Sequence, residues 1–348
     1  MLRLGAVGDV VRTLPAASAL RRAYPDAHLA WLVEPGSESL LSAQPWLDEV
    51  IVFPRTRLRD SLRQGRWWQA AREIRELARL LRAGRFDLVA DFHSILKSGL
   101  LSFATRAPRR VGYARPFGRE GAWLFANQRV QVHPRRISRF ERNRVLVEAL
   151  GIQTPPAERP LTVEPAASER MARALGEGPA PLVIHPGTSD ATRHKRYSAS
   201  GYAALARALA RDPGIPSIVT LGPARDDRVE AEAVVKAAEG AARLGPETSG
   251  LPDLAALFAR CRLFAGADSG PLHVASLVGT PVVQILGPTD PVENAPYAGT
   301  PSRTVLVPVA CHPCGRRGCA AATCMRVLPP ERVIAAARQL LAVPRPGW

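Results

Sequence analysis

The sequence predicts an α/β protein built as two tandem Rossmann-like domains, and three observations carry that expectation. Short apolar runs alternate with segments whose apolar residues recur at helical spacing. The alternation stops at one proline-rich stretch, residues 151–165, and then resumes. At 348 residues and 46% apolar content, the chain is long enough for two cores of ordinary size.

The first domain is expected over 1–155. Leu2 to Leu4 reads as a stub of strand ending in a glycine turn, Gly5-Ala6-Val7-Gly8-Asp9. A helix is expected over Val10 to Tyr24 and a strand over Leu29 to Val33, which together make a βαβ unit. Val50 to Phe53, Phe86 to Asp91 and Arg129 to Val132 have the composition of further strands, with an Arg/Glu/Leu-rich helix over Trp67 to Ala83. Such repetition argues for a parallel sheet covered on both faces.

The second domain is expected over 156–328. Strands at Leu182 to His185, Ser217 to Leu221, Leu263 to Ala265 and Val282 to Leu286 are each followed by a glycine-containing loop. Helices are expected over Ala199 to Arg211, Asp227 to Ala238, Asp253 to Arg260 and Pro271 to Val278. Ligands of open parallel sheets bind beyond the carboxyl ends of strands, so these loops are the place to look for a site. The turn Gly266-Ala267-Asp268-Ser269-Gly270-Pro271-Leu272-His273 is the most informative. It opens a helix, where unpaired N–H groups and the helix dipole favour an anion such as a pyrophosphate. Lys195, Ser269 and His273 have side chains able to add direct hydrogen bonds, although Asp268 or Ser269 also has the chemistry of a plain helix cap.

The net charge of +16 is uneven, because residues 1–150 carry 26 Lys+Arg against 14 Asp+Glu. Such a domain attracts anionic partners. Aromatic residues are only 6% and no known nucleic-acid motif surrounds the arginines, which argues against a basic nucleic-acid-binding protein. With no apolar run of about 18 residues and no signal-peptide pattern, the expected location is cytoplasmic, with peripheral contact at the inner membrane surface.

The segments GADSGPLHVASLVGTPVVQILGPTDP and VIHPGTSDATRHKRYS resemble the glycosyltransferase family that includes the lipopolysaccharide heptosyltransferases. The likeness continues in GAVGDVVRTLPAASALRRAYPDAHLAWLVEP, in FDLVADFHSILKSGLLSFATRAPRRVGYARPFGREGAWLF and in ISRFERNRVLVEALGI. It implies a GT-B fold, two domains facing a central cleft, with a terminal segment 329–348 whose helix, Pro330 to Leu341, crosses back to the first domain. It also implies inverting transfer of a sugar from a nucleotide-sugar donor, ADP-heptose, to an anionic glycolipid or glycan acceptor. By matching position Asp9 would be the catalytic base, although an Asp there is also a common helix cap. Lys195 would bind the diphosphate, and Thr188, Asp268, Ser269, Gly270 and His273 would line the donor pocket. Lys97 and Arg119 would meet the acceptor, with Arg57 and Arg63 as further candidates. No cofactor or metal is required for catalysis on this reading; a non-catalytic nucleotide-sugar-binding relative is the alternative. Tyr197 departs from the family, which commonly has Trp there.

Four of the five cysteines fall at Cys311, Cys314, Cys319 and Cys324. The spacing suits a structural tetrahedral zinc, two disulfides, or reduced thiols packed locally, and the sequence leaves the three open. A reducing cytoplasm disfavours disulfides.

Overall fold

The computed structural model describes residues 1–154, 160–222, 225–316 and 318–343, without the side chain of Arg225. The chain divides into two compact units, 1–156 and 157–348. The interruption read from the prolines thus falls partly outside the described residues, as do Pro223, Ala224, Arg317 and the last five positions.

In the first unit the order is α1 (Val7–Val11), α2 (Leu14–Ala23), β1 (Ala30–Val33), α3 (Glu38–Ser42), β2 (Glu49–Val52), α4 (Arg55–Arg63), α5 (Trp67–Ala83), β3 (Leu88–Asp91), α6 (Leu96–Ala104), β4 (Arg109–Tyr113), β5 (Gln128–Val130) and α7 (Arg139–Glu148). Strands β1 and β2 pair in parallel, as do β3, β4 and β5. The segment around Leu2 joins the two groups, bridging in parallel to Leu32 on one side and Asp91 on the other. Numbered from that segment, the sheet has the order 3-2-1-4-5-6, the doubly wound arrangement with its switch point between the first and fourth strands. One face packs Phe92, Val111 and Val130 against α2 and α7; the other packs Leu32, Ile51 and Val89 against α4 and α5.

The helix expected over Val10 to Tyr24 is two helices, broken at Arg12-Thr13. Pro15 explains the break: it cannot donate to residue 11 and its ring clashes with that carbonyl, yet it fits the first turn of a new helix.

The second unit runs α8 (Pro165–Leu175), β6 (Leu182–His185), a 3₁₀ segment (Asp190–Lys195), α9 (Ala199–Arg211), β7 (Ser217–Val219), α10 (Arg225–Ala237), β8 (Ala242–Leu244), α11 (Leu251–Ala259), β9 (Leu263–Ala267), α12 (Gly270–Leu277), β10 (Val282–Ile285), β11 (Ser302–Val305), α13 (Thr323–Arg326) and α14 (Pro330–Leu341). Its six parallel strands lie β8-β7-β6-β9-β10-β11, again 3-2-1-4-5-6. The helix α14 buries Val333, Ala337 and Leu340 in the second unit's own core. Its apolar stripe at i, i+4, i+7 spacing is matched to Leu205, Leu209 and Val283 in that core, which explains where it packs.

Candidate active site

In each unit the residues singled out by sequence gather at the switch point of the sheet. In the first unit Asp9 lies in the first turn of α1, directly after the central strand segment. It does not cap: Ala6 is the N-cap and receives no side-chain bond. The carboxylate meets three arginines instead, Arg3 Nη2 at 2.5 Å on Oδ2, with Arg139 Nη1 at 3.0 Å and Arg12 Nη1 at 3.3 Å on Oδ1. Burial, the largest single influence, acts to raise its pKa, but Arg3, Arg139 and Arg12 together outweigh it and hold it well below the usual carboxylate range. The carboxylate keeps about a fifth of its surface open to solvent (22%), so it is ionised and reachable.

The placement of Asp9 depends on distant residues. Asn143 of α7 donates to Arg12 O and Thr13 Oγ1 at 3.1 and 3.0 Å and accepts from Tyr113 Oη at 3.0 Å. That bracing holds the break between α1 and α2. Arg3 is fixed in turn by Phe92 O at 2.8 Å.

The loop after β3 is organised by Asp91, a buried carboxylate that accepts from the His93 and Ser94 N–H groups at 2.9 Å and from Ser98 Oγ at 2.8 Å. Burial pushes its pKa up to about 6. His93 on the same loop is held at about 4, chiefly by burial and then by Arg3, so its imidazole is neutral at working pH. Lys97 is not a bare cation. Its Nζ pairs with Glu34 Oε1 and sits 4.6 Å above the Phe53 ring, while Glu34 Oε2 also takes Arg55 at 2.7 Å. Arg119 is exposed, and its backbone N–H ties to Ser94 O at 2.9 Å, so both acceptor-side candidates hang on the loop after β3. Arg57 and Arg63 lie exposed on α4.

In the second unit the switch point falls between β6 and β9, and one ion pair spans it. Lys195 Nζ lies 2.8 Å from Asp268 Oδ2, both largely buried. Thr289 Oγ1 donates to the same oxygen at 3.1 Å, and His273 Nε2 lies 3.4 Å from Oδ1. His273 is fully buried, so it acts on the site through Asp268 and does not itself line an open surface. Ser269 stands at the N-cap of α12 but makes no side-chain cap bond there. The Ser269 hydroxyl is shielded and has no partner among the described residues, next to the N–H groups of the first turn of α12, which begins at Gly270. An oxyanion fits both donors.

Thr188 is committed to its loop, donating to Thr192 O at 3.0 Å. Arg196 holds that loop against α10: Nη2 reaches Thr188 O at 2.9 Å and Asp227 Oδ1 at 3.4 Å, and Nη1 reaches Glu230 at 3.2 Å. Asp227 fits only because Gly222 and Gly187 lack side chains: a Cβ would stand 2.1 Å and 3.0 Å from its oxygens. His185, at the end of β6, bonds Thr220 Oγ1 at 3.0 Å and is held at about 4, first by burial and then by Arg196.

The cysteine segment lies against these donor-side loops. Gly315 N–H donates to Pro288 O at 2.8 Å, Gly318 N–H to His194 Nδ1 at 3.3 Å, and Cys324 Sγ lies 3.3 Å from where a Cβ on Gly287 would be. All five cysteines are free thiols. Among the described residues no three His, Cys, Asp or Glu side chains are grouped as a metal ion needs, although Cys314 and Cys311 lie near enough to Cys324 to help raise its pKa after burial, the larger cause.

Sequence reasoning missed Arg3, Arg139 and Asn143 around Asp9, and Arg196 and Thr289 around the Lys195–Asp268 pair. Thr289 stood in a strand-end loop, a signal that was available. The others depend on partners up to 131 positions away.

Two doubly wound parallel units in tandem, one with Asp9 and the other with the Lys195–Asp268 pair at its switch point, agree with the class that the family match gives, a glycosyltransferase of the GT-B fold. The chain belongs to glycosyltransferase family 9 (heptosyltransferase), whose model matches residues 74–324. It is 25% identical over 299 residues to the lipopolysaccharide core heptosyltransferase OpsX of Haemophilus influenzae, covering 85% of this chain and 81% of that protein. It is 27% identical to lipopolysaccharide heptosyltransferase 1 of Pseudomonas aeruginosa, covering 92% and 86%. The solved structure of E. coli heptosyltransferase WaaC with ADP superposes with a TM-score of 0.75 at 21% identity, covering 97% of this chain and 98% of that one. That likeness supports the fold.

Proposed function

We propose that this glycosyltransferase transfers a heptosyl group from ADP-heptose to a hydroxyl of an anionic, lipopolysaccharide-core-type acceptor, with inversion. The observation that carries the reading is the Lys195–Asp268 pair beside the start of α12, where the Ser269 hydroxyl has no partner among the described residues, a place that suits a diphosphate. The two named relatives are lipopolysaccharide heptosyltransferases, and E. coli WaaC has been solved with ADP and with ADP-2-deoxy-2-fluoro heptose.

In the proposed reaction the acceptor oxygen bonds to the anomeric carbon as the bond from that carbon to the diphosphate oxygen breaks. The bonding pair leaves on ADP, and the acceptor proton passes to Asp9. Lys195, Ser269 and the α12 N–H groups take up charge growing on the leaving diphosphate. Asp268 is better suited to a donor hydroxyl than to phosphate, and its contact with Lys195 aims the ammonium. Lys97 and Arg119 face the acceptor's negative charge on this reading.

The charge of the leaving group is met here by Lys195 and a helix terminus, so the reaction is proposed to need no divalent ion. The remaining carboxylates nearby have other tasks: Asp226 pairs with Arg193, Asp227 with Arg196, and Asp290 accepts from Val292 N–H at 2.7 Å. The acceptor's lipid would bring the enzyme to the cytoplasmic face of the inner membrane. Among the described residues no helix is long and apolar enough to cross it.

The test is ADP release from ADP-heptose in the presence of a heptose-deficient core acceptor, with UDP-sugars as controls and chelator in parallel. Transfer with inverted anomeric configuration, preference for ADP-heptose and survival in chelator are expected. Release only from UDP-sugars would overturn the donor assignment, and strict metal dependence would overturn the metal-free step.

A further inference from the structure

The first unit carries a surface that neither its core nor the transfer chemistry uses. On α5, Trp68, Arg72, Arg75, Arg79 and Arg82 fall at i, i+4, i+7, i+11 and i+14, which places them in one stripe along the helix. The buried residues Ala70, Leu77 and Leu81 form a different stripe, facing the sheet. Trp67 and Trp68 are 67% and 85% exposed. Two adjacent tryptophans left in water are unusual, because such rings are normally largely buried.

The neighbouring helix α6 continues the pattern. Leu96, Leu100 and Phe103, at i, i+4 and i+7, are all exposed. The two helices are tied where Arg82 Nε donates to Ala104 O at 3.3 Å, and Arg110 stacks 5.6 Å from the Phe103 ring. Of the α5 arginines, Arg72 pairs with Glu76, whereas the exposed Arg75 and Arg79 make no ion pair among the described residues. Apolar and aromatic groups are thus set among uncompensated cations on one layer of the fold.

We propose that the α5–α6 face docks on an anionic lipid bilayer, with Trp67 and Trp68 entering the headgroup region and the Arg75–Arg79 stripe meeting lipid phosphates. Charge complementarity selects this occupant. A second copy of this unit, itself carrying 26 Lys+Arg against 14 Asp+Glu over residues 1–150, would set like charges against the arginines and bury them at high cost. An anionic bilayer supplies phosphates to them while accepting the indole rings, which favour the interface between water and hydrocarbon. The inference deepens the reading that the acceptor is membrane-borne and assigns the surface that meets the membrane.

The test is sedimentation of the full chain with vesicles of phosphatidylglycerol and phosphatidylethanolamine, beside vesicles of phosphatidylcholine alone. Wild-type protein is expected to bind the anionic vesicles, with a blue shift in tryptophan emission, and to bind phosphatidylcholine at least about tenfold more weakly. Trp67→Ser/Trp68→Ser and Arg75→Glu/Arg79→Glu are each expected to lose about tenfold or more of the anionic partitioning. Both should keep the wild-type melting temperature and ADP-induced thermal shift, since these side chains are exposed and lie in the first unit.

Equal partitioning of wild type and variants would overturn the proposal, as would equal binding to both lipids. So would a dimer that Trp67→Ser/Trp68→Ser dissociates, for then a second copy covers the face. Vesicle binding does not use the donor, so a failed ADP-heptose assay with intact lipid binding would strike the transfer reading and leave this surface standing.

Discussion

The two units share one strand order and place their polar residues at the same topological point, yet the charges are reversed. In the first, a carboxylate is enclosed by Arg3, Arg12 and Arg139. In the second, a lysine is held by Asp268. One sheet topology thus offers a neutral platform, and a few side chains at the switch point decide whether it keeps an anion or a cation. The enclosing charges have a cost in each case. Three arginines guarantee that Asp9 is ionised while making it a weak base, and Asp268 fixes Lys195 while competing with any diphosphate for it.

The largest test of this division is Asp9→Ala, expected to lower turnover by about 10²–10⁴-fold, as loss of a positioned base does. Turnover within a few-fold of wild type would remove Asp9 from the chemistry. Lys195→Ala is expected to lower kcat/KM by about 10²–10³-fold through lost charge stabilisation. Lys195→Arg should recover only part of that, since a planar fork does not replace a point charge; full recovery would show that any cation suffices.

Acid sensitivity should separate the units. A histidine held at about 4 when folded and 6.5 when unfolded stabilises fully above pH 6.5; that contribution shrinks as pH falls toward 4 and is gone below. In the first unit His93 behaves this way, but Asp91, raised to about 6, stabilises in the opposite direction over pH 4 to 6. In the second unit Asp253, held below the usual carboxylate range, contributes stability that is lost in the same direction as that of His185 when pH falls. His185→Asn is therefore expected to remove about 3 kcal/mol of the stability lost between pH 6.5 and 4, read by chemical denaturation at a series of pH values. An unchanged pH slope would contradict it.

The smallest expected effect is at Arg139, the most exposed of the three arginines around Asp9. The wild-type rate should show no Asp9 limb above about pH 4, because the carboxyl is held below the ordinary range. Arg139→Gln should shift the acid limb upward and change the plateau rate by less than about tenfold. A limb that does not move would mean that Arg3 and Arg12 suffice.

How much of this was legible in the sequence differs between the units for a physical reason. The donor-side residues sit on loops at strand ends, and a glycine turn opening a helix announces itself locally, so Lys195, Asp268 and Ser269 could be picked out. Around Asp9 the partners Arg139 and Asn143 come from α7, about 130 residues away, and in an arginine-rich chain no single Arg stands out. Strands such as Arg109–Tyr113 and Ser302–Val305 were missed because their charged and polar residues hide the apolar alternation. The packing of α14 in the second unit's core was not legible either, because an apolar stripe says that a helix is buried, not against which core.

The division of labour is tested most directly by calorimetric titration of ADP into wild type, Asp9→Ala and Lys195→Ala. The account predicts that Asp9→Ala binds ADP with the wild-type Kd and that Lys195→Ala binds at least about tenfold more weakly. Intact ADP binding in Lys195→Ala, with binding lost in Asp9→Ala, would contradict it.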